Sequence, residues 1–198
     1  MQKIEFGLDF FKLLSYNRSS EFVTILTLIK TKEKNMRNKD KILKLTYASI
    51  IAALYVALSW MSEIFGLAHL VPQVRLSEAL CVLVWFTPAA VPGLFVGCFV
   101  ANLTMGCVVW DVVFGSMATL IGAYLGSKLK NKWLVPLPTL VANTLIVPIV
   151  IYYCYLGETG LAAYVLTALG VLAGEIVSAY VIGMVLLLAL ESRKLFKK

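Results

Sequence analysis

Charge is what this sequence has least of. Of its 198 residues, 15% are charged and 60% are hydrophobic. Soluble domains carry about 25% charged and about 45–50% apolar residues. The deficit excludes most soluble enzymes, and the apolar excess excludes a disordered chain. Histidine is nearly missing: His69 stands alone, which argues against histidine-based metal sites. The four cysteines, Cys81, Cys98, Cys107 and Cys154, lie in apolar runs, and none is spaced C-x-x-C. Buried free thiols are expected, with neither a metal cluster nor a disulfide framework. There is no G-x-x-x-x-G-K-[ST] loop to cradle a nucleotide and no Ser/His/Asp constellation. The chain is therefore expected to be no enzyme and to carry no cofactor and no metal.

Long apolar runs are abundant. Leu45–Ser62 is 18 residues without a charge, Ala79–Trp110 is 32, Val112–Ser127 is 16 and Trp133–Gly157 is 25. Thr159–Leu190 contains only Glu175. A spanning helix uses about 20 residues, so Ala79–Trp110 is too long for one, and Pro88, Pro92 and Gly93 break it. The runs predict six helices, at about 43–62, 71–88, 90–108, 110–128, 133–156 and 161–190. Polar and apolar residues do not alternate as the strands of a β-barrel require. The fold class expected is an all-α integral membrane protein, a compact bundle of six transmembrane helices over residues 36–198. Residues 1–35 mix charge with short apolar runs. They read as an N-terminal extension that is peripheral, disordered or a start-site artefact.

The net charge of +7 raises nucleic acid as a partner, but its distribution points to a bilayer. Segment 1–35 carries +2. The clusters Arg37–Lys44, Lys128–Lys132 and Arg193–Lys198, with Asp40 and Glu191, carry +9. With six spans, all three clusters fall on one side, which the positive-inside rule makes cytoplasmic, with both termini. The rest of the chain carries −4. The basic excess thus reads as topology, with no nucleic-acid footprint.

That remainder is Arg75 against Glu63, Glu78, Asp111, Glu158 and Glu175. A charge inside a bilayer costs about 2.5–3.5 kcal/mol or more, so such residues mark sites. Glu175 is expected about one turn below the outer boundary. Arg75 and Glu78 lie near the outer start of the second helix, and Asp111 near that of the fourth. Arg75 and Glu78, at i and i+3, can face each other; Glu63 and Glu158 read as solvated loop residues. Asn102 and Asn143 are polar residues within helices, able to bond a ligand or a neighbouring helix. Trp110, Tyr152, Tyr153 and Tyr155 crowd the outer end as an aromatic belt, and Trp110 is a candidate to stack on a planar ligand. Small residues at Gly93, Gly97 and Ala101, at Gly115, Gly122 and Gly126, and at Gly170, Gly174 and Ser178 predict close helix contacts. A carboxylate cluster suits a donor-rich ligand: a guanine-like edge offers two parallel N–H groups, and an aminomethyl cation matches a second carboxylate.

The run VPQVRLSEALCVLVWFTPAAVPGLFVGCFVANL (Val71–Leu103) resembles the signature of the QueT-type family. DVVFGSMATLIGAYLGSKL (Asp111–Leu129), Pro136–Pro138 with Asn143 beyond, and Gly174-Glu175 resemble it further. The likeness covers nearly all of 40–192. Members are substrate-binding S-components of energy-coupling factor (ECF) transporters, assigned to queuosine precursors. The resemblance implies a multi-pass protein of the prokaryotic plasma membrane without ATPase activity. Its partners would be a transmembrane T-component and two ATPase subunits, and its ligand a 7-deazaguanine such as 7-aminomethyl-7-deazaguanine or queuine. Arg75, Glu78, Asn102, Trp110, Asp111, Asn143 and Glu175 are the expected substrate-binding residues. S-components dock through a small-residue A-x-x-x-A on the first helix; Ala53 with Ala57 fits, and Ala48 with Ala52 is a second pair. An S-component for another vitamin or nucleobase and a standalone membrane carrier remain as alternatives.

Overall fold

The computed structural model describes residues 38–67, 73–154 and 160–193. The extension expected over 1–35, together with His69 and Glu158, lies outside them. The chain divides after Lys44 into two compact units. Of the first, residues 38–44 are described, as the opening turns of a helix.

The described residues form six helices and contain no strand. Helix α1 is Asn38–Ile64. A 3-10 helix of 10 residues follows, Leu76–Trp85, then α2 (Ala90–Thr104) and α3 (Val109–Lys128). A short 3-10 turn, Lys132–Leu134, leads into α4 (Leu137–Cys154). The last helix, α5 (Leu161–Ser192), is α-helical to Glu175, π-helical over Ile176–Ile182 and α-helical again from Gly183.

Four of the six are long and apolar enough to cross a bilayer: α1, α3, α4 with its lead-in turn, and α5. The second and third helices are shorter than the expected 71–88 and 90–108, with 10 and 15 residues. Two local causes account for this. Residues 73–75 are non-helical, with Arg75 extended, because the backbone of Gln73 lies directly against Gly174. At the far end, α2 stops at Met105, and Gly106 follows with φ +73°. Glycine takes this left-handed conformation without the Cβ penalty and so terminates helices. Between the two, Pro88 disfavours helical conformation at Thr87 and separates them.

The 3-10 helix is the centre of the packing. Eight of its 10 residues are buried, and it packs on α2, α3, the π-helical segment and the end of α5. Around it, α2, α3, α4 and α5 pack each on the next. Small residues set the spacing as expected. A Cβ on Gly93 would lie 2.7 Å from the Ala48 carbonyl oxygen, and one on Gly97 2.7 Å from Tyr55 Cβ. A Cβ on Gly122 would lie 2.5 Å from Thr139 Cα, where α3 meets α4.

Helix α1 is different. Only 17% of its apolar window is buried, against 44% to 50% for the other three long helices. Its inward face is Ile51, Tyr55, Ser59 and Ser62, at helical spacing, with Ala48 and Ala52 turned toward Gly93 and Gly97. Ala53 and Ala57 are exposed.

Candidate functional site

The site begins at the residue before the 3-10 helix. With three residues per turn, side chains three apart eclipse, so Arg75, Glu78 and Cys81 follow one edge. The N–H of Leu76 donates to Ser62 Oγ of α1 at 2.9 Å, which fixes where the helix starts. Glu78 is 2% exposed, and the Tyr55 hydroxyl of α1 donates to its Oε1.

From the opposite side, α5 presents Glu175, 6% exposed and immediately before the π-helical segment. Asn143 Nδ2 of α4 donates to Glu175 Oε1 at 2.8 Å. Arg75, Glu78, Asn143 and Glu175 line one cavity with Gln73, Cys98 and Thr119. Its volume is about 10 Å³, room for about one water molecule.

Three polar atoms in this lining have no partner within the protein: Glu78 Oε2, Glu175 Oε2 and Asn143 Oδ1. Leaving one such group buried and unpaired costs about 1–3 kcal/mol, more if charged. The amide oxygen is an acceptor, and so are the carboxylate oxygens when ionised, so what would satisfy all three is a molecule rich in N–H donors. Ionised, Glu78, Glu175 and neighbouring Asp111 outweigh the single Arg75, which favours a ligand that also brings positive charge.

The remaining expected residues are placed differently. Asp111, 4% exposed in the first turn of α3, flanks the cavity and is not part of its lining. Arg75 and Asp111, at the starts of the 3-10 helix and of α3, are near enough for their opposite charges to attract. Asn102 is turned to Cys98 Sγ at 3.6 Å and to the Asp111 carbonyl oxygen at 3.5 Å, long contacts that join α2 to α3. Trp110 is 57% exposed. It stacks on Phe114 and lines an apolar groove between α3 and α4, apart from the carboxylates. Consecutive helical residues point about 100° apart, so an inward Asp111 leaves Trp110 outside.

Sequence reasoning missed Tyr55, Gln73, Cys98 and Thr119. Tyr55 had a legible signal: a phenol four residues after Ile51 on an inward face needs a buried partner. Thr119 donates to Cys98 Sγ at 3.4 Å. Nothing in the pattern announces Gln73, which reaches the cavity only because Gly174 has no side chain. Among the described residues no group of His, Cys, Asp and Glu could hold a metal ion.

The model of the QueT transporter family matches residues 45–192. No curated protein and no solved structure matches the chain at a comparable level. The match covers most of the chain, which therefore belongs to the QueT transporter family and is a membrane transport protein.

Proposed function

We propose that this QueT-family chain is the substrate-binding S-component of an ECF transporter and takes up a 7-deazaguanine queuosine precursor. The observation that carries the ligand class is the convergence of unpartnered Glu78 Oε2, Glu175 Oε2 and Asn143 Oδ1 in one buried cavity. A 7-deazaguanine edge supplies parallel N–H donors to one carboxylate, and a 7-aminomethyl group supplies an ammonium to the other. Such a ring is far larger than the cavity, so binding requires the lining to open. The segment Gln73–Arg75 lies outside regular helix at the edge of the cavity.

ATP hydrolysis belongs to two partner subunits, and a transmembrane T-component receives the loaded bundle. The exposed Ala53 and Ala57 on the sparsely buried α1 suit this docking, because small residues let helices approach closely. Ala48 and Ala52 lie against Gly93 and Gly97 within the chain, which favours Ala53 and Ala57 as the docking pair. By the positive-inside rule, the basic clusters support a topology with both termini on the cytoplasmic side of a prokaryotic plasma membrane.

Calorimetric titration of the purified chain with 7-aminomethyl-7-deazaguanine tests the substrate. Saturable binding supports it. Silence toward that compound, with binding of a vitamin or another nucleobase, overturns the ligand; uptake that persists without any ECF ATPase overturns the S-component. In the same titration Trp110→Ala is expected to leave the affinity unchanged, because Trp110 lies apart from the carboxylates. A large loss there would mean that the ring stacks in the apolar groove.

A further inference from the structure

We propose that Tyr55 is a positioning residue that carries the state of the ligand cavity to the outward face of α1. The proposal rests on the preceding reading, in which the cavity holds the ligand and Ala53 and Ala57 meet a partner. Four observations support it.

The first is the bond itself. Tyr55, 2% exposed, donates its hydroxyl to Glu78 Oε1, while Glu78 Oε2 is left for a ligand. One carboxylate therefore faces α1 with one oxygen and the cavity with the other. The second is the contrast with Glu175, whose Oε1 is held by Asn143 of α4. The hydrogen bond each carboxylate accepts thus comes from a different helix, α1 for Glu78 and α4 for Glu175.

The third is the absence of slack around Tyr55. A Cβ on Gly97 would lie 2.7 Å from Tyr55 Cβ and 3.0 Å from Ala52 Cα. The base of the Tyr55 side chain and the backbone one turn before it are held so closely against α2 that a pull on the buried phenol is passed to the helix that carries it. The fourth is register. Tyr55 stands two residues from Ala53 and two from Ala57, about 160° around the helix from each. The residue that reads the cavity and the pair that faces outward share one turn and point in opposite directions.

A ligand that draws Glu78 toward itself through Oε2 thereby alters the Tyr55 bond and biases the position of α1. The bias is reciprocal: a partner that favours one position of α1 must change ligand affinity by the same factor.

The test uses the full chain in nanodiscs with its four tryptophans replaced by 5-fluorotryptophan and read by fluorine NMR. Trp60 lies on α1, three residues beyond Ala57, 41% exposed and bonded to Thr104 Oγ1 at 3.3 Å. Trp85, Trp110 and Trp133 report on other elements. Glu78→Gln is expected to move the Trp60 resonance by more than its linewidth, and Glu175→Gln to leave it in place. In a Tyr55→Phe background, Glu78→Gln is expected to have no further effect on Trp60. Phe keeps the buried ring and the Cβ that lies against Gly97, so Trp85 and Trp133 are expected to stay where they are.

A Trp60 signal indifferent to Glu78→Gln, or one moved equally by Glu175→Gln, overturns the proposal without recourse to Tyr55→Phe. So does an undiminished Glu78→Gln shift in the Tyr55→Phe background. Saturating 7-aminomethyl-7-deazaguanine should move Trp60 in the parent chain and leave it still in Tyr55→Phe. If that compound binds neither protein, the substrate reading falls, and the variant comparison decides the role of Tyr55 by itself.

Discussion

Glu78→Gln and Glu175→Gln are each expected to weaken binding of 7-aminomethyl-7-deazaguanine by about 10- to 100-fold. Glutamine keeps the shape of each side chain but replaces one carboxylate oxygen with an NH₂ group that cannot accept a hydrogen bond. A hydrogen bond to a charged group is worth about 1.5–3 kcal/mol, and about 1.4 kcal/mol is tenfold in affinity. The loss falls on the ligand rather than on the fold, because Glu78 Oε2 and Glu175 Oε2 have no protein partner to forfeit. Glutamine is neutral, so neither substitution leaves a charge buried at its position, and the empty protein should be at least as stable as the parent. The signature is therefore a pair of opposed readings: a weaker calorimetric affinity, and a melting temperature equal to or above that of the parent. If both variants bind as the parent does, the cavity is not the ligand site. If binding and melting temperature fall together, the glutamates serve the fold.

The carboxylates were legible in the sequence because charge is so scarce there. Glu78 and Glu175 stand out against apolar runs, and the cost of placing them in a bilayer makes a site the economical explanation. Asn143 was legible for a related reason, as an amide in the middle of an apolar helix. Faces were less legible than depths. Trp110 shares the depth of Asp111 in the chain but points elsewhere, and hydropathy along a run that is apolar all round gives no azimuth. Helix type was not legible either. The 3-10 form of Leu76–Trp85 and the π form of Ile176–Ile182 pack against each other. Each is settled by contacts between parts of the chain about 100 positions apart, which no local window contains. Tyr55 and Gln73 belong with these: Tyr55 reaches Glu78 from a helix that Gly97 lets pack closely, and Gln73 reaches the cavity because Gly174 admits its backbone.

Gly174→Ala is the substitution where local propensity and tertiary packing give opposite signs. Gly174 lies inside α5, where alanine is favoured over glycine by about 1 kcal/mol. On propensity alone the variant should be more stable. The added Cβ, however, would fall 1.7 Å from the Gln73 carbonyl oxygen and 2.5 Å from the Gln73 carbonyl carbon. Neither atom is the free end of a flexible side chain, so Gln73 and Arg75 must lift away or α5 must retreat with Glu175. Overpacking of this kind costs about 1–3 kcal/mol, which offsets the gain and leaves a net loss of up to about 2 kcal/mol. The larger effect is on binding, because both routes of relief displace cavity lining. A misplacement of about 1 Å can cost about 100-fold where geometry is demanding, and a loss of that order is expected here. Helical content by circular dichroism should be unchanged, because the substitution favours helix locally. Calorimetry on Gly174→Ala decides the matter. Unaltered affinity would mean that the apposition of Gln73 and Gly174 does not shape the site, and the Gly-Glu pair would then owe its glycine to helix packing alone.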